Sequence, residues 1–586
     1  MPTDVPPPAG WLERAVPIRG WLGRYRRADL SGDLNAGLTV AIMLVPQAMA
    51  YAMLAGLPPI MGLYASVAPL AIYALFGTSR QLAVGPVAIV SLLVAAGIAP
   101  MATPGSPEYI TLAIVLAGLS GLIMLIMGIA RMGFLMNFIS HPVISGFTSA
   151  AALIIGFSQL KHLLGINLPR THHLHRILGE ASTRLDEVNL PTLAIGISGI
   201  VLLYGLKRWK ATFPGALVVV GMGTVAVWVF DLHHHGVAIV GDVPGGLPAP
   251  VLPFVGCGTL VELLPAALTI SLVGYMESIA VARSFASKNG YAVDANQELI
   301  GLGGANLAAM AFSGYPVTGG FSRTAVNGQA GARTPLASLI TAAVIALTLL
   351  FLTRFFFYMP KAVLAAVIMV AVFALVDVRE VRYLWRVKRS DLALLAVAFA
   401  ATLLIGIEEG ILISVVTSLV VVIKRTTAPH TAVLGRLPGT RIYRNIDRYT
   451  DAETFPGLAI LRIDANLYFA NIAFVKERIA ALTRERGPEL KAILLDCRSI
   501  SDVDSSADTA LRELAVELRD AGVSLYLANV KGPVRDLFRR SGLYDLLGAD
   551  HFFFSNNDAV CHYLGTSGAE LPHEGPHGRV PSASNR

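Results

Sequence analysis

Between Leu34 and Leu160 the chain carries only three acidic or basic side chains, Arg80, Glu108 and Arg131. The apolar stretches there run for about 20 residues, the length that crosses a hydrocarbon layer as a helix. The pattern continues to about residue 428. Apolar runs begin near Leu34, Pro58, Leu82, Tyr109, Gly133, Leu190, Pro214, Thr259, Glu298, Gly319, Pro335, Tyr358, Leu392 and Glu409. They predict a polytopic α-helical membrane protein with fourteen transmembrane spans. Spans 3 and 10 are short and interrupted, at Gly85-Pro86 and within Gly314-Tyr-Pro-Val-Thr-Gly-Gly-Phe-Ser-Arg323-Thr324. Fourteen divides into seven and seven, and an odd number per repeat inverts the second half. The broken spans then hold equivalent positions and enter from opposite sides, which predicts a transport site between two half-helix amino termini.

From Leu458 the period changes. Leu458-Ala-Ile-Leu-Arg-Ile reads as a strand, Ile472 to Arg486 as a helix and Lys491 to Asp496 as a buried strand. A helix from Ser505 to Ala521, a strand from Val523 to Ala528 and a helix near Val534 follow, so a small α/β sandwich is expected. The expected organisation is an amino-terminal cytoplasmic segment over residues 1–28, a transmembrane domain over 29–428, an α/β domain over 429–566 and a disordered polar tail over 567–586.

Composition sharpens this picture. The chain is 54% hydrophobic and 15% charged, against about 25% charged for ordinary soluble proteins. The net charge of +7 comes from basic residues in alternate loops. These include Arg24, Arg26 and Arg27, Arg80, Arg131, the Lys207–Lys210 run, the cluster from Arg379 to Arg389, and Lys424-Arg425. That alternation places both termini in the cytoplasm and gives no reason to expect nucleic-acid binding. The loop over residues 161–187 runs against it, with Lys161, Arg170, Arg176 and Arg184, but long loops weigh less. Cys257, Cys497 and Cys561 imply no disulfide framework and no metal cluster. His172, His173, His175 and the run His233 to His235 lack spaced carboxylate or thiolate partners and read as surface histidines. No enzyme motif and no cofactor motif is present.

The chemistry concentrates at the two breaks. A helix amino terminus presents unpaired N–H groups and about +0.5 charge, so two of them with Arg323 supply about +2, suited to a divalent oxyanion such as sulfate. The candidate anion-binding residues are Gly85, Val87 and Ala88 at the first break and Gly320, Phe321, Ser322 and Arg323 at the second. Ser322 and Thr324 offer hydroxyl donors, unless their hydroxyls bond back to the helix. Glu277 lies about midway along span 8, where a carboxylate has to be paired or protonated. When ionised it cancels part of the positive field, and when protonated it releases that field to a dianion. Proton and dianion therefore bind cooperatively, as proton symport requires. A structural ion pair between Glu277 and Arg323 is the competing reading. In span 1, Val45-Pro-Gln-Ala-Met-Ala-Tyr51 combines a helix break at Pro46 with an amide at membrane depth, so Gln47 is a candidate donor to the anion and Tyr51 a candidate cavity residue.

These features together resemble the sulfate permease (SulP) family of anion transporters, the bacterial counterparts of solute carrier family 26. The resemblance rests on Pro46-Gln-Ala-Met-Ala-Tyr51, Ala55-Gly-Leu-Pro-Pro-Ile-Met-Gly-Leu-Tyr64, Ala83-Val-Gly-Pro86, Thr318-Gly-Gly-Phe-Ser-Arg-Thr-Ala-Val326 and the carboxy-terminal domain. It implies a seven-plus-seven inverted repeat like that of uracil permeases, with a core domain moving against a gate domain in an elevator-like step. It also implies a homodimer in the plasma membrane, carrying an inorganic anion, sulfate favoured, with a proton. Bicarbonate transport, chloride/bicarbonate exchange, dicarboxylate transport and a passive channel remain open. The tail resembles a STAS domain, carried by Leu467-Tyr-Phe-Ala-Asn471 and by Asp496 to Ala507. That likeness implies dimerisation and a cytoplasmic regulatory partner. Ser505 and Ser506 match the phosphorylated turn of bacterial anti-sigma-factor antagonists, although Ala507 and Asp508 depart from its pattern and helix capping is the competing role.

Overall fold

The computed structural model describes residues 16–23, 25–134, 140–168, 174–209 and 215–566. The expected tail over 567–586, Arg24, most of the amino-terminal segment, Arg170, Lys210, His172 and His173 lie outside these residues. The chain forms two compact units, Met1–Leu419 and Val420–Arg586.

The first unit contains spans 1 to 13 and the start of span 14, whose last turns fall past Leu419. Span 1 is Arg27–Leu54, and span 2 is helical over Pro59–Tyr64 and Ala68–Phe76. Span 3 is a short strand, β1 (Val84–Gly85), followed by a half-helix, Ala88–Ile98. Spans 4 to 9 are Pro107–Ile129, His141–Ser158, Leu190–Trp209, Gly215–Val229, Cys257–Lys288 and Ala295–Ala311. Span 10 repeats the design of span 3, with β2 (Thr318–Gly319) and the half-helix Phe321–Gln329. Spans 11 to 14 are Leu336–Phe351, Lys361–Phe373, Arg389–Leu404 and Ile407–Thr427. Span 5 starts at His141 rather than near Gly133. The helix break expected at Pro46 is absent. Span 1 runs unbroken through Pro46, which loses one backbone hydrogen bond without ending the helix. Large apolar side chains such as Ile197, Val201, Trp228 and Leu412 lie exposed on the protein surface, as a lipid-facing exterior requires.

The inverted repeat is visible in which spans touch. Span 4 packs on span 9 as span 11 packs on span 2. Span 8 packs on the half-helix of span 3 as span 1 packs on that of span 10. Span 5 lies against span 13 as span 12 lies against span 6. Each pairing maps onto its twin when seven is added to, or taken from, every span number.

Close approach of spans 4 and 9 depends on paired glycines. A Cβ built on Gly121 would sit 2.8 Å from the Gly303 carbonyl oxygen, and one on Gly303 the same distance from the Gly121 oxygen. Small residues at such crossings let backbones meet where lipid offers no hydrophobic drive for association.

The second unit is a six-stranded sheet in the order β4-β3-β5-β6-β7-β8. Its strands are β3 (Thr431–Arg436), β4 (Tyr443–Asn445), β5 (Leu458–Ile463), β6 (Ala492–Asp496), β7 (Ser524–Ala528) and β8 (Phe552–Phe553). β3 runs antiparallel to β4 and β5, and the remaining pairs are parallel. Both faces are covered. Along β5, Ala459, Leu461 and Ile463 face the core with Val475, Ile479 and Leu511, while Leu458 and Ile460 face the other with Tyr443 and Val560. Burial on both faces is why β5 and β6 read as unbroken apolar runs rather than alternating ones.

G303V should force spans 4 and 9 apart and destabilise the first unit by about 1–3 kcal/mol, the usual cost of overpacking. A lower unfolding midpoint in detergent checks this; an unchanged midpoint would show that the crossing relaxes freely.

Candidate functional site

The two broken spans meet in the middle of the first unit. β1 and β2 pair antiparallel, Val84 opposite Gly319 and Gly85 opposite Thr318. Each strand then turns directly into its half-helix. At β1 the turn uses Gly85, at φ +156°, a conformation that strains any side chain. Pro86 follows and needs no backbone acceptor. Two residues make a very short ribbon, and neighbouring side chains supply the bonds that a wider sheet would give. Asn306 of span 9 accepts from the Val317 N–H at 2.8 Å and donates to the Val317 carbonyl at 2.9 Å. Ser278 of span 8 accepts from the Gly319 N–H at 2.8 Å and lies 2.6 Å from the Thr318 hydroxyl, which donates to the Gly274 carbonyl. Gly320 N–H donates to the Ala83 carbonyl at 3.1 Å. Ser91 and Tyr315, 3.1 Å apart through their hydroxyl oxygens, join the first half-helix to the segment before β2.

The half-helix amino termini are left without side-chain caps. Val87 and Gly320 occupy the capping positions and neither has a side chain that accepts a bond there. By contrast Ser106 caps span 4 and Asp294 caps span 9. An uncapped first turn leaves its N–H groups without intrahelical partners, which a buried helix end does not tolerate without some other acceptor.

Arg323 stands in the first turn of the second half-helix and is 1% exposed. Its Nη1 donates to the Pro86 carbonyl, in the turn between β1 and the other half-helix, while Nε and Nη2 are buried without a hydrogen-bond partner. The guanidinium lies across both glycines. A Cβ on Gly320 would stand 2.9 Å from Nη2, and one on Gly85 3.4 Å from it.

Around this cation sit the polar residues of spans 1 and 8. Gln47, 5% exposed, donates through Nε2 to the Tyr51 hydroxyl at 3.0 Å, and its Oε1 has no partner. The Oε2 of Glu277 is likewise buried and unpartnered. Tyr51, Glu277 and Tyr315 all lie within electrostatic range of Arg323. No hydrogen bond or ion pair joins Glu277 to Arg323 in the structure. Gln47 and Glu277 each fall 20 residues past the first residue of their helices, Arg27 and Cys257, so the two halves present them at matching depth.

The remaining candidates divide by exposure. Val87 and Ala88 are buried at the first terminus, whereas Phe321, 53% exposed, and Ser322 are accessible at the second. The Thr324 hydroxyl accepts from the Ala83 N–H at 3.1 Å and so holds the crossing together. In the second unit Ser505 and Ser506 are exposed in the first turn of the helix Ser505–Asp520. They do not cap it. Asp504 does, accepting from the Ala507 N–H at 2.8 Å. Asp508 turns inward to the Ser541 hydroxyl at 2.7 Å and to Arg512 at 3.3 Å.

Sequence reasoning overlooked Ser278, Asn306, Tyr315 and Glu298. Glu298 is fully buried and accepts from the Tyr73 hydroxyl and from the Thr78 and Ser79 backbone. An acid and an amide within one apolar span were the available signal.

A model of the "Sulfate permease family" matches residues 30–398, and a "STAS domain" model matches residues 449–559. The chain is 42% identical over 588 residues to "Sulfate transporter 4.1, chloroplastic" of Arabidopsis thaliana, covering 96% of this chain and 85% of that protein. A probable sulfate transporter of Mycobacterium tuberculosis is 39% identical over 552 residues, covering 94% and 98%. Among solved structures, the murine Slc26a9 anion transporter in its inward-facing state superposes with TM-score 0.87 at 27% identity, covering 96% of this chain and 97% of that one.

S278A would leave the Gly319 N–H buried without an acceptor and should cost about 1–3 kcal/mol. The check is the thermal unfolding midpoint of the purified chain; a midpoint equal to that of the parent would mean that Ser278 does not hold β2 in place.

Proposed function

Because this chain belongs to the sulfate permease family of membrane anion transporters, we propose that it carries sulfate into the cell together with protons. The observation behind this reading is the convergence of two uncapped half-helix amino termini on an arginine with unused donors. Sulfate needs many donors and about two positive charges. The first-turn N–H groups at Ala88 and Phe321, the Nε and Nη2 of Arg323, and the Ser322 hydroxyl provide the donors. Two termini at about +0.5 each and one guanidinium provide the charge. Gly85 and Gly320 leave room for the Arg323 guanidinium beside both termini, and Gln47 with Tyr51 closes the side formed by span 1. The similarity to a sulfate transporter of Arabidopsis thaliana and to a probable one of Mycobacterium tuberculosis supports the same reading.

Glu277 is the coupling residue in this reading. In the empty site its carboxylate balances part of the field of Arg323, and an arriving dianion makes the ionised form unfavourable, so anion and proton enter together. Span 8 carries Glu277 on the same helix as Ser278, which bonds to β2, so the proton site and the anion site move as one body. We place the protein in the plasma membrane with both termini cytoplasmic, as a homodimer working by an elevator-like step. Its STAS domain serves as the contact for a regulatory protein. The exposure of Ser505 and Ser506 leaves them accessible to a kinase, although phosphorylation there is not required by the transport mechanism.

Radiolabelled sulfate uptake into proteoliposomes, with and without an inward proton gradient, tests the proposal. Wild type should concentrate sulfate under the gradient, R323Q should lose uptake, and E277Q should lose the response to the gradient. The linkage has a definite sign. One proton taken up per anion lowers the half-saturating sulfate concentration by up to ~10-fold for each unit of pH decrease on the loading side. That slope should vanish in E277Q. Concentrative uptake that survives intact in E277Q would remove Glu277 from the coupling. No sulfate uptake under any gradient would turn attention to bicarbonate, chloride or dicarboxylates, and uptake that only equilibrates would indicate a channel.

A further inference from the structure

The edge of the carboxy-terminal sheet holds a second concentration of positive charge, in a different unit from the transport residues. An open cavity of about 400 Å³ is lined by His430, Arg444, Asn445, Arg448, Tyr449 and Arg462. Arg444 and Asn445 belong to the edge strand β4, Arg448 and Tyr449 to the turn after it, and Arg462 to β5. None of the lining residues is acidic.

Asp464 fixes one side of the cavity. It accepts from Arg462 at 2.7 and 2.9 Å and from His430 Nδ1 at 2.8 Å. Partial burial works to raise the Asp464 carboxyl, but the bonds from Arg462 and His430 outweigh it and hold the group below its usual range, so it stays ionised. Arg444 and Arg448 on the other side form no ion pair with any described residue, and Arg444 makes a long hydrogen bond, 3.5 Å, to the Tyr443 carbonyl. Asn445 uses its Oδ1 on the Asp447 N–H at 2.9 Å, which leaves its amide nitrogen to donate.

We propose that this cavity binds a tetrahedral oxyanion group, phosphate or sulfate, either as the free ion or as part of a larger ester. Guanidinium groups match the oxygen edges of such anions with paired N–H donors, which a spherical anion cannot use. Asp464 neutralises Arg462, whereas Arg444 and Arg448 have no carboxylate partner and repel one another unless an anion neutralises them. The Tyr449 hydroxyl and the Asn445 amide add neutral donors at the rim. The cavity exceeds the size of a bare ion, and this leaves room for an attached organic group. The site is independent of the transport reading, since it shares no residue with the transport site.

Residue-resolved phenylglyoxal labelling of the full chain in detergent, followed by peptide mass spectrometry, tests it. Inorganic phosphate, inorganic sulfate and adenosine monophosphate are compared with chloride at equal ionic strength. At least one oxyanion should slow labelling of Arg444 and Arg448 by ~3-fold once it exceeds its Kd about twofold, while Arg484, exposed on a separate helix, labels at a constant rate. Protection by the inorganic ions identifies a free oxyanion as ligand, and protection by the monophosphate alone identifies an ester. The protection should persist in R323Q. Equal labelling in all four solutions, or equal protection by chloride, would overturn the proposal.

Discussion

Two residues from each half of the membrane unit carry the architecture. Val84-Gly85 and Thr318-Gly319 pair as strands where the chain would otherwise have to leave backbone groups bare inside the protein. Once they pair, the half-helices that follow must begin at a shared point and diverge, and their amino termini face the same space. The supporting bonds from Ser278 and Asn306 come from spans 8 and 9. The crossing therefore ties spans 8 and 9 to the two broken spans, and span 1 joins them by packing on both half-helices. Everything proposed about anion binding depends on this one short ribbon.

Around the ribbon the polar groups are left incomplete in a consistent way. Arg323 retains unused donors, Gln47 an unused acceptor and Glu277 an unpartnered oxygen, all buried. Ser140, Ser145 and Asn327 of the same unit also bury an unpartnered atom, but its fully buried carboxylates, Asp33 and Glu298, are satisfied. Asp33 accepts from the Arg333 and Thr334 backbone and from the Thr334 hydroxyl, and Glu298 has its own set of donors. A fold that satisfies Asp33 and Glu298 but leaves Arg323 and Gln47 short separates groups that hold structure from groups that await a ligand.

Much of this was legible in the chain. The spans show because a membrane helix has to be apolar on nearly every side, which leaves long uncharged runs, and the breaks show because Gly85-Pro86 and Gly319-Gly320 cannot continue a helix. Arg323 and Glu277 stand out as charges in those runs. What was hidden follows from physics that acts across the chain. Pro46 reads as a break, yet the helix continues through it, because inside a membrane protein the freed backbone groups can be re-satisfied by neighbours. Ser278 and Asn306 acquire meaning only when β2 arrives beside them, 40 and 11 residues away in sequence for the bonds they form. In the carboxy-terminal unit the apolar strands β5, β6 and β7 were readable, whereas the edge strands β3 and β4 and the two-residue β8 are too short or too polar to show the same signal. Helix capping by Asp504 rather than by the serines that follow it was decided by one residue of register.

The account rests on an anion seated between the two half-helix termini, and locating that anion tests it most directly. Selenate, a heavier tetrahedral dianion, can be found by anomalous scattering in crystals of the full chain. The account predicts one peak within hydrogen-bond distance of the first-turn N–H groups at Ala88 and Phe321 and of the Arg323 guanidinium. A selenate bound elsewhere in the membrane unit, with that space empty in a protein that still transports sulfate, would contradict it.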